Sequence, residues 1–279
     1  MKTFKLSNEI EIPAIGFGTW QIEDGEKVIN ATLTAIQEGY THIDTAFFYH
    51  NEKGIGQAIK QANTKREDLF ITTKVWNSDR GYEQTLKAFD TSLNNLDLEY
   101  IDLFLIHWPA NHTQFENWKE INAQTWKALE KLYKEGKIKA IGVCNFMVKH
   151  LEALLETCEI KPMVNQIEYH PGYTQNDVVA FCKENNILVE AWSPIGSGRI
   201  LENELLKEIA QKYNVNVGQL CIQFALQQGI LPLPKAENPT NIKNNIQFET
   251  FEISEADMNQ ILNMPSTGFS GLNPDEVPF

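Results

Sequence analysis

The sequence predicts a (β/α)8 TIM barrel with an N-terminal β-hairpin and an extra C-terminal helix. Short β-branched and apolar runs alternate with helix-forming runs along nearly the whole chain, eight times over. The length, 279 residues, suits one such barrel. The doubly wound alternative expects a G-x-G-x-x-G turn after its first strand, and Gly16-Phe17-Gly18-Thr19-Trp20-Gln21 lacks the third glycine. No linker, repeat or low-complexity run divides the chain, so residues 1–279 read as a single domain.

A hairpin comes first: Thr3 to Leu6, a Ser7-Asn8 turn, then Ile10 to Pro13. Ala14 to Gly18 is the first barrel strand, and Glu26 to Glu38 its helix, with Gly39 as the stop. Tyr40 to Ala46 is the second strand, followed by a helix from about Asn51 to Ala62. Leu69 to Val75 leads into a helix from Tyr82 to Leu93. Ile101 to His107 is the fourth strand, and a long aromatic connection, Pro109 to Trp118, precedes a helix ending near Gly136. Ile138 to Val143 pairs with a helix around Lys149 to Thr157, and Met163 to Ile167 with one over Asn176 to Asn185. After the seventh strand, Ile187 to Trp192, helical sequence runs over Glu202 to Tyr213 and Val217 to Gln228. Ile230 to Pro234 is the eighth strand, and Pro239 to Ile246 its helix. Ser254 to Asn263, with Ser254 as cap and Asp257 three residues on, is the extra helix, before a Pro- and Gly-rich tail from Pro265.

Composition narrows the function classes. Hydrophobic residues make up 42% of the chain and charged ones 22%, enough for a sizeable core. Acids outnumber lysines and arginines 37 to 24, and the resulting charge of −13 repels phosphate backbones and anionic membranes. That balance argues against nucleic acid or a membrane surface as partner. Cys144, Cys158, Cys182 and Cys221 are scattered, without a C-x-x-C pair, and read as reduced thiols of a cytoplasmic protein. The N-terminal stretch has no apolar signal segment, and no uncharged run approaches a membrane span.

The most informative stretch runs from His42 through Asp44 and Tyr49 to Glu52: a strand that ends on an acid, then a loop bearing a phenol. Two later strands end in Lys74 and His107, each near a tryptophan. Strand side chains alternate, so His42 and Asp44 share a face, as do Thr72 and Lys74, and Leu105 and His107. If those faces point inward, a closed barrel projects acid, base and imidazole into one cavity at its C-terminal mouth. A lysine in an apolar strand is costly to bury unpaired, and Asp44 is the obvious partner. Lys74 beside Tyr49 would favour phenolate and move the tyrosine below its free value of about 10. A phenol tuned that way can protonate a forming alkoxide and recover the proton in reverse. His107 can hydrogen-bond the carbonyl oxygen and fix its position. Each residue alone has a plainer reading: Asp44 a turn former, Tyr49 a packing residue, Lys74 a rim residue, His107 a satisfied core histidine. Joint placement on strand ends favours the site.

These residues resemble the aldo-keto reductase superfamily over Gly16 to about Pro274, especially the bacterial branch typified by 2,5-diketogluconate and methylglyoxal reductases. The family's D-x-A-x-x-Y-x-N-E signature stands here as Asp44 to Glu52, its lysine in T-K-x-W as Lys74, and its histidine in I-H-W-P as His107. The resemblance implies NADPH-dependent reduction of aldehydes and ketones to alcohols. Tyr49 would be the general acid, Lys74 and Asp44 its tuners and His107 the orienter, with the hairpin closing the barrel's N-terminal end.

The same resemblance implies the cofactor contacts. Gly18, Thr19, Trp20 and Asp44 are candidates at the first strand ends, and Asn145 and Gln166 would bond the nicotinamide carboxamide. Cys144 stands where the family usually has Ser, and a thiol is the weaker donor. Trp192 takes the place of the stacking aromatic, and Ser193, Pro194, Ile195, Gly196 and Ser197 form a loop whose backbone N–H groups would cradle the pyrophosphate. The 2′-phosphate segment is matched by Lys235, Ala236, Asn241, Asn244 and Asn245, with Ala236 for the usual Ser and Asn241 for the usual Arg. Losing that charge-assisted contact costs about 1.5–3 kcal/mol, while the start of the last barrel helix still favours an anion. The expected cofactor is therefore NADP(H), preferred less decisively than usual, with NAD(H) usable, and no metal.

Trp20, Phe48, Trp76, His107 and Trp108 would line the substrate pocket, joined by Phe115, Trp118 and Phe269. The short tail leaves the mouth open, which suits small and varied carbonyl substrates, and the expected oligomeric state is a monomer. No basic residue in this group singles out an acidic substrate. The competing class is a redox-sensing nicotinamide-binding module with little turnover, separated by NADPH consumption with a generic aldehyde. A metal-dependent hydrolase needs convergent ligands, and no H-x-H occurs among His42, His50, His107, His112, His150 and His170.

Overall fold

A computed structural model describes residues 2–248 and 251–279. Strands β1 (Thr3–Lys5) and β2 (Glu11–Pro13) form the antiparallel hairpin, with Phe4 opposite Ile12. The barrel strands follow: β3 (Phe17–Gly18), β4 (His42–Asp44), β5 (Phe70–Val75), β6 (Ile101–Ile106), β7 (Ile138–Cys144), β8 (Val164–Glu168), β9 (Leu188–Trp192) and β10 (Leu231–Leu233). Each is parallel to its sequence neighbour, in the order β3 to β10. Backbone bonds from Gly16 N to Pro232 O (3.1 Å) and Gly18 N to Pro234 O (3.0 Å) join the first strand to the last and close the ring. The (β/α)8 reading is therefore correct. The hairpin lies across the end where β7 starts, for Asn8 Nδ2 donates to Lys139 O at 3.0 Å.

Helices α1 (Glu26–Gln37), α2 (Glu52–Gln61), α3 (Tyr82–Leu96), α4 (Trp118–Lys134), α5 (Val148–Leu155) and α6 (Asn176–Glu184) each connect two barrel strands. Both α7 (Glu204–Lys212) and α8 (Val217–Gln227) fall between β9 and β10, and α9 (Pro239–Ile246) follows β10. The extra helix α10 (Glu255–Leu262) is capped as expected, with the Ser254 hydroxyl accepting from Asp257 N at 3.2 Å. All residues of β4, β5, β6 and β8 are buried, as parallel strands covered on both faces must be.

Several strands are shorter than the sequence suggests, the first two of the barrel most of all. Only Phe17 and Gly18 pair with β4, and the amides of Gly16 and Gly18 bond across the closing seam. The second strand stops at Asp44, since Thr45 N donates to Thr72 O while its chain turns into the loop carrying Tyr49. Both changes leave the strand ends, and so the side chains at the mouth, where they were expected.

Tight helix packing gives a stability test. A Cβ on Gly56 of α2 would sit 2.4 Å from the carbonyl oxygen of Leu96, the last residue of α3. Gly→Ala inside a helix normally gains about 1 kcal/mol, but a clash with fixed backbone costs about 1–3 kcal/mol. Gly56→Ala should therefore lower the melting temperature by a few degrees in calorimetry. An unchanged or raised melting temperature would show that the helices can part freely.

Candidate active site

At the C-terminal ends of β4 and β5 the Lys74 ammonium, fully buried, donates to both carboxylate oxygens of Asp44 (2.8 and 2.9 Å) and to Thr45 O (2.8 Å). It also reaches Tyr49 Oη at 3.4 Å. Burial alone would lower this ammonium, but Asp44, with help from Tyr49 and Cys144, outweighs it and holds Lys74 above the ordinary lysine range. A paired, charged lysine inside the barrel is thus the ground state.

Tyr49 ends a short 3-10 turn (Phe47–Tyr49). The turn is fixed by the last two residues of the signature. Asn51, fully buried, donates to Thr19 O and Ile22 O (both 3.0 Å) and accepts from Thr45 Oγ1 at 2.8 Å. Glu52 accepts from Thr73 Oγ1 (2.7 Å) and Asn95 Nδ2 (3.0 Å). These two residues tie the loop to its neighbours on either side, so the phenol is held against Lys74. The expected lowering of the Tyr49 phenol does not occur. Burial raises it, Lys74 pulls it down, Asp44 pushes it back up, and the net shift is upward. The main reason is burial, which outweighs the pull of Lys74, with Asp44 adding to the rise.

His107 follows β6 directly. Its ring meets Tyr49 edge-on at 5.6 Å and Trp76 at 5.1 Å between centroids. Burial, then the Lys74 charge, hold its imidazole far below the ordinary range, so it is neutral at neutral pH. Phe48 stacks on Trp76 at 3.7 Å, and Trp20 stacks on Phe48 at 5.9 Å. These rings, with Trp108, wall a cavity of about 800 Å³ whose floor includes Asp44, Tyr49 and His107.

The cavity continues past Gly18, Thr19, Cys144, Asn145, Gln166 and Trp192 to Ser193, Pro194, Ile195, Ser197 and Lys235. Trp192 Nε1 donates to Asn145 Oδ1 at 2.8 Å, and Asn145 Nδ2 donates to His107 O at 3.0 Å, which places the two cofactor candidates against the imidazole's own backbone. The Cys144 thiol is buried and points at Gln166 Oε1 (3.8 Å). Ser193 and Ser197 hydroxyls bond at 2.7 Å across the loop. Gly196 packs beneath this loop on Ile200. Ala236 and Asn245 are buried, Asn244 is half-buried and Asn241 is exposed; these four lie beyond the cavity wall.

Three expectations need correction. Phe115, Trp118 and Phe269 do not reach the cavity: Phe115 lies under Arg80 (5.7 Å), Trp118 against His150 (5.3 Å) and Phe269 on Tyr173 (4.6 Å). The tail does not leave the mouth open, because Leu272 and Phe279 fold back over it, with Phe279 against Trp76 (5.5 Å) and Trp108 (5.4 Å). The start of α9 offers fewer N–H donors than expected: Asn238 caps Thr240 N at 2.9 Å, and Pro239 has no N–H to give. The sequence reading also missed Gln21, Arg199, Leu233, Ser270, Leu272 and Phe279 on the wall. Arg199 is not free, since it donates to Glu168 Oε1 (3.0 Å) and Gly268 O (2.7 Å). Only chain-distant contacts reveal the tail residues, and no local pattern signals them.

The cavity suits a dinucleotide: it is long, aromatic at one end, and bordered by a Gly/Ser loop and a lysine at the other. Residues 14–264 match the model of the aldo/keto reductase family. Glyoxal reductase of Bacillus subtilis strain 168 is 47% identical over 277 residues, covering 99% of this chain and 98% of that protein. Methylglyoxal reductase DkgA of Escherichia coli K12 is 36% identical, covering 98% and 96%. Among solved structures, a point mutant of Gox0644 in complex with NADPH is 34% identical with a TM-score of 0.92, covering 100% of this chain and 99% of that one. A match along essentially the full barrel, with the buried lysine, carboxylate, phenol and imidazole at one mouth, leaves one assignment: this chain belongs to the aldo/keto reductase family, NAD(P)H-dependent oxidoreductases that reduce carbonyl groups.

Proposed function

We propose that this single-domain barrel reduces small, uncharged aldehydes and ketones to alcohols, with Tyr49 as general acid. The observation that carries the reading is the Lys74 ammonium, chelated by Asp44 and reaching the Tyr49 oxygen at the floor of the cavity. NADPH, when bound, supplies the hydride for the carbonyl carbon. Tyr49 Oη gives its proton to the carbonyl oxygen, and Lys74, with Asp44 behind it, stabilises the phenolate left behind. Neutral His107 directs the carbonyl oxygen toward Tyr49 through a ring N–H. Trp20, Phe48, Trp76 and Trp108 exclude water and hold the apolar part of the substrate. Neutral substrates are favoured because the wall's cations are engaged, Arg199 by Glu168 and Lys235 by Glu237 (2.5 Å). The charge of −13 supports a monomer without a nucleic-acid partner, which sedimentation with and without DNA checks, and the four free cysteines fit a cytoplasmic protein.

Tyr49→Phe should lose at least about a hundredfold in kcat, as general acids typically contribute that much, while NADPH binding by fluorescence titration is retained. Near-wild-type turnover would sink Tyr49 as the acid. The upward shift of the phenol also sets a sign: a raised acid stays protonated, so carbonyl reduction should not fall between about pH 6 and pH 8, whereas alcohol oxidation should rise with pH because it needs the phenolate. Reduction that declines with pH in that window would contradict it.

At the adenosine end the pairing of Lys235 with Glu237 supports a weakened hold on the 2′-phosphate. NADPH should be preferred over NADH only modestly in kcat/KM, and an NADH preference above about tenfold would reject this reading. Glu237→Gln frees the lysine. Because the pair is exposed and screened, the NADPH Kd should tighten by only about threefold while that for NADH stays put.

A further inference from the structure

Glu190, the third residue of β9, has no part in the chemistry above, yet it is fully buried under the site. It is in register with Gln166 of β8. Gln166 Nε2 donates to Glu190 Oε2 at 2.8 Å and to Asp44 Oδ2 at 2.9 Å, so one amide nitrogen bridges two carboxyl groups. Flipping that amide would set its oxygen against ionised Asp44. The bridge therefore leaves the Gln166 carbonyl on the other side, beside Cys144, where both residues border the cavity.

We propose that Glu190 is a positioning residue: as second acceptor beside Asp44, it locks the Gln166 amide so that a carbonyl oxygen, not an N–H, meets the carboxamide of a bound nicotinamide. This rests on the reductase reading and adds a determinant to it. Burial, then the Asp44 charge, push the Glu190 carboxyl up to about 8, against the opposing pull of the Gln166 hydrogen bond and Lys74. Asp44, Lys74 and Cys144 are the titratable groups that face it across the barrel, and its β10 partner in register, Leu231, brings no charge. Below that pH Glu190 is neutral and accepts through its carbonyl oxygen. Above it the carboxylate accepts more strongly, so the bridge persists in both states.

The test compares Glu190→Leu and Glu190→Gln with the full-length wild type, measuring binding of NADPH and of 2′-phospho-ADP-ribose, which lacks the nicotinamide. Glu190→Leu leaves the amide held by Asp44 alone, one good hydrogen bond weaker, and should weaken NADPH up to about tenfold while leaving 2′-phospho-ADP-ribose unchanged. Glu190→Gln, whose carbonyl still accepts, should restore NADPH binding. Undiminished NADPH binding by Glu190→Leu, or equal loss of both ligands, overturns the proposal. Should Glu190→Leu not fold, NMR decides: the Gln166 side-chain NH2 protons should be hydrogen-bonded and protected from exchange in the wild type and in Glu190→Gln, and rapidly exchanging NH2 protons in the wild type overturn it. Failure of the wild type to bind NADPH at all would instead strike the reductase reading.

Discussion

A buried ammonium is the constraint around which this barrel is arranged. Desolvating Lys74 costs several kcal/mol, and the cost is offset only because its donors find both oxygens of Asp44 and the carbonyl of Thr45. That pairing demands that β4 end where it does, one strand away and in register, with Asp44 beside Thr72. It also demands that the chain turn at once, since Thr45 must offer its carbonyl inward while its hydroxyl goes to Asn51. Either charge alone would be a liability in this interior. Together they make a fixed dipole aimed at the Tyr49 oxygen.

Three of the four central residues were readable because strand chemistry is local. Period-two alternation and a strand ending on an ionisable side chain mark Asp44, Lys74 and His107 without any knowledge of the partners. Tyr49 sits off the strand, on a turn whose shape depends on Asn51 and Glu52 reaching Thr19, Ile22, Thr73 and Asn95. Only the resemblance carried it. Glu190 was visible in principle: alternation in Leu188-Val189-Glu190-Ala191-Trp192 puts this acid on the same strand face as Trp192. The tail was not, for Phe279 meets Trp76 across nearly three-quarters of the chain, and no window of sequence reports such a contact.

The sign of the Tyr49 shift shows a second limit. A list of neighbours suggests a lowered phenol, because Lys74 is nearest. The actual balance includes burial, which is the largest influence on this phenol, and Asp44, which opposes the lysine. Spacing in the sequence cannot rank these opposed influences, since each depends on depth and distance. The same balance explains why His107 is neutral: burial and the cation push in one direction there, with no carboxylate to oppose them.

Summed over the floor of the cavity, these shifts leave one ion pair and otherwise uncharged groups at neutral pH: a phenol, an imidazole and, below about pH 8, a protonated Glu190. In the proposed mechanism a floor without net charge neither attracts nor repels a polarised carbonyl until charge develops on its oxygen, and at that moment the nearby proton and ammonium act in low dielectric, where they are strongest. The free charges are moved outward instead. Arg199 and Lys235 stand on the wall, each balanced by a carboxylate, Glu168 or Glu237. Phosphate groups arriving there must compete with those acids, whereas the reacting carbonyl meets no such competitor. In the mechanism proposed above, the separation of a chemical floor without net charge from a cationic but occupied rim lets one cavity take an anionic cofactor along its length and an uncharged substrate at its end.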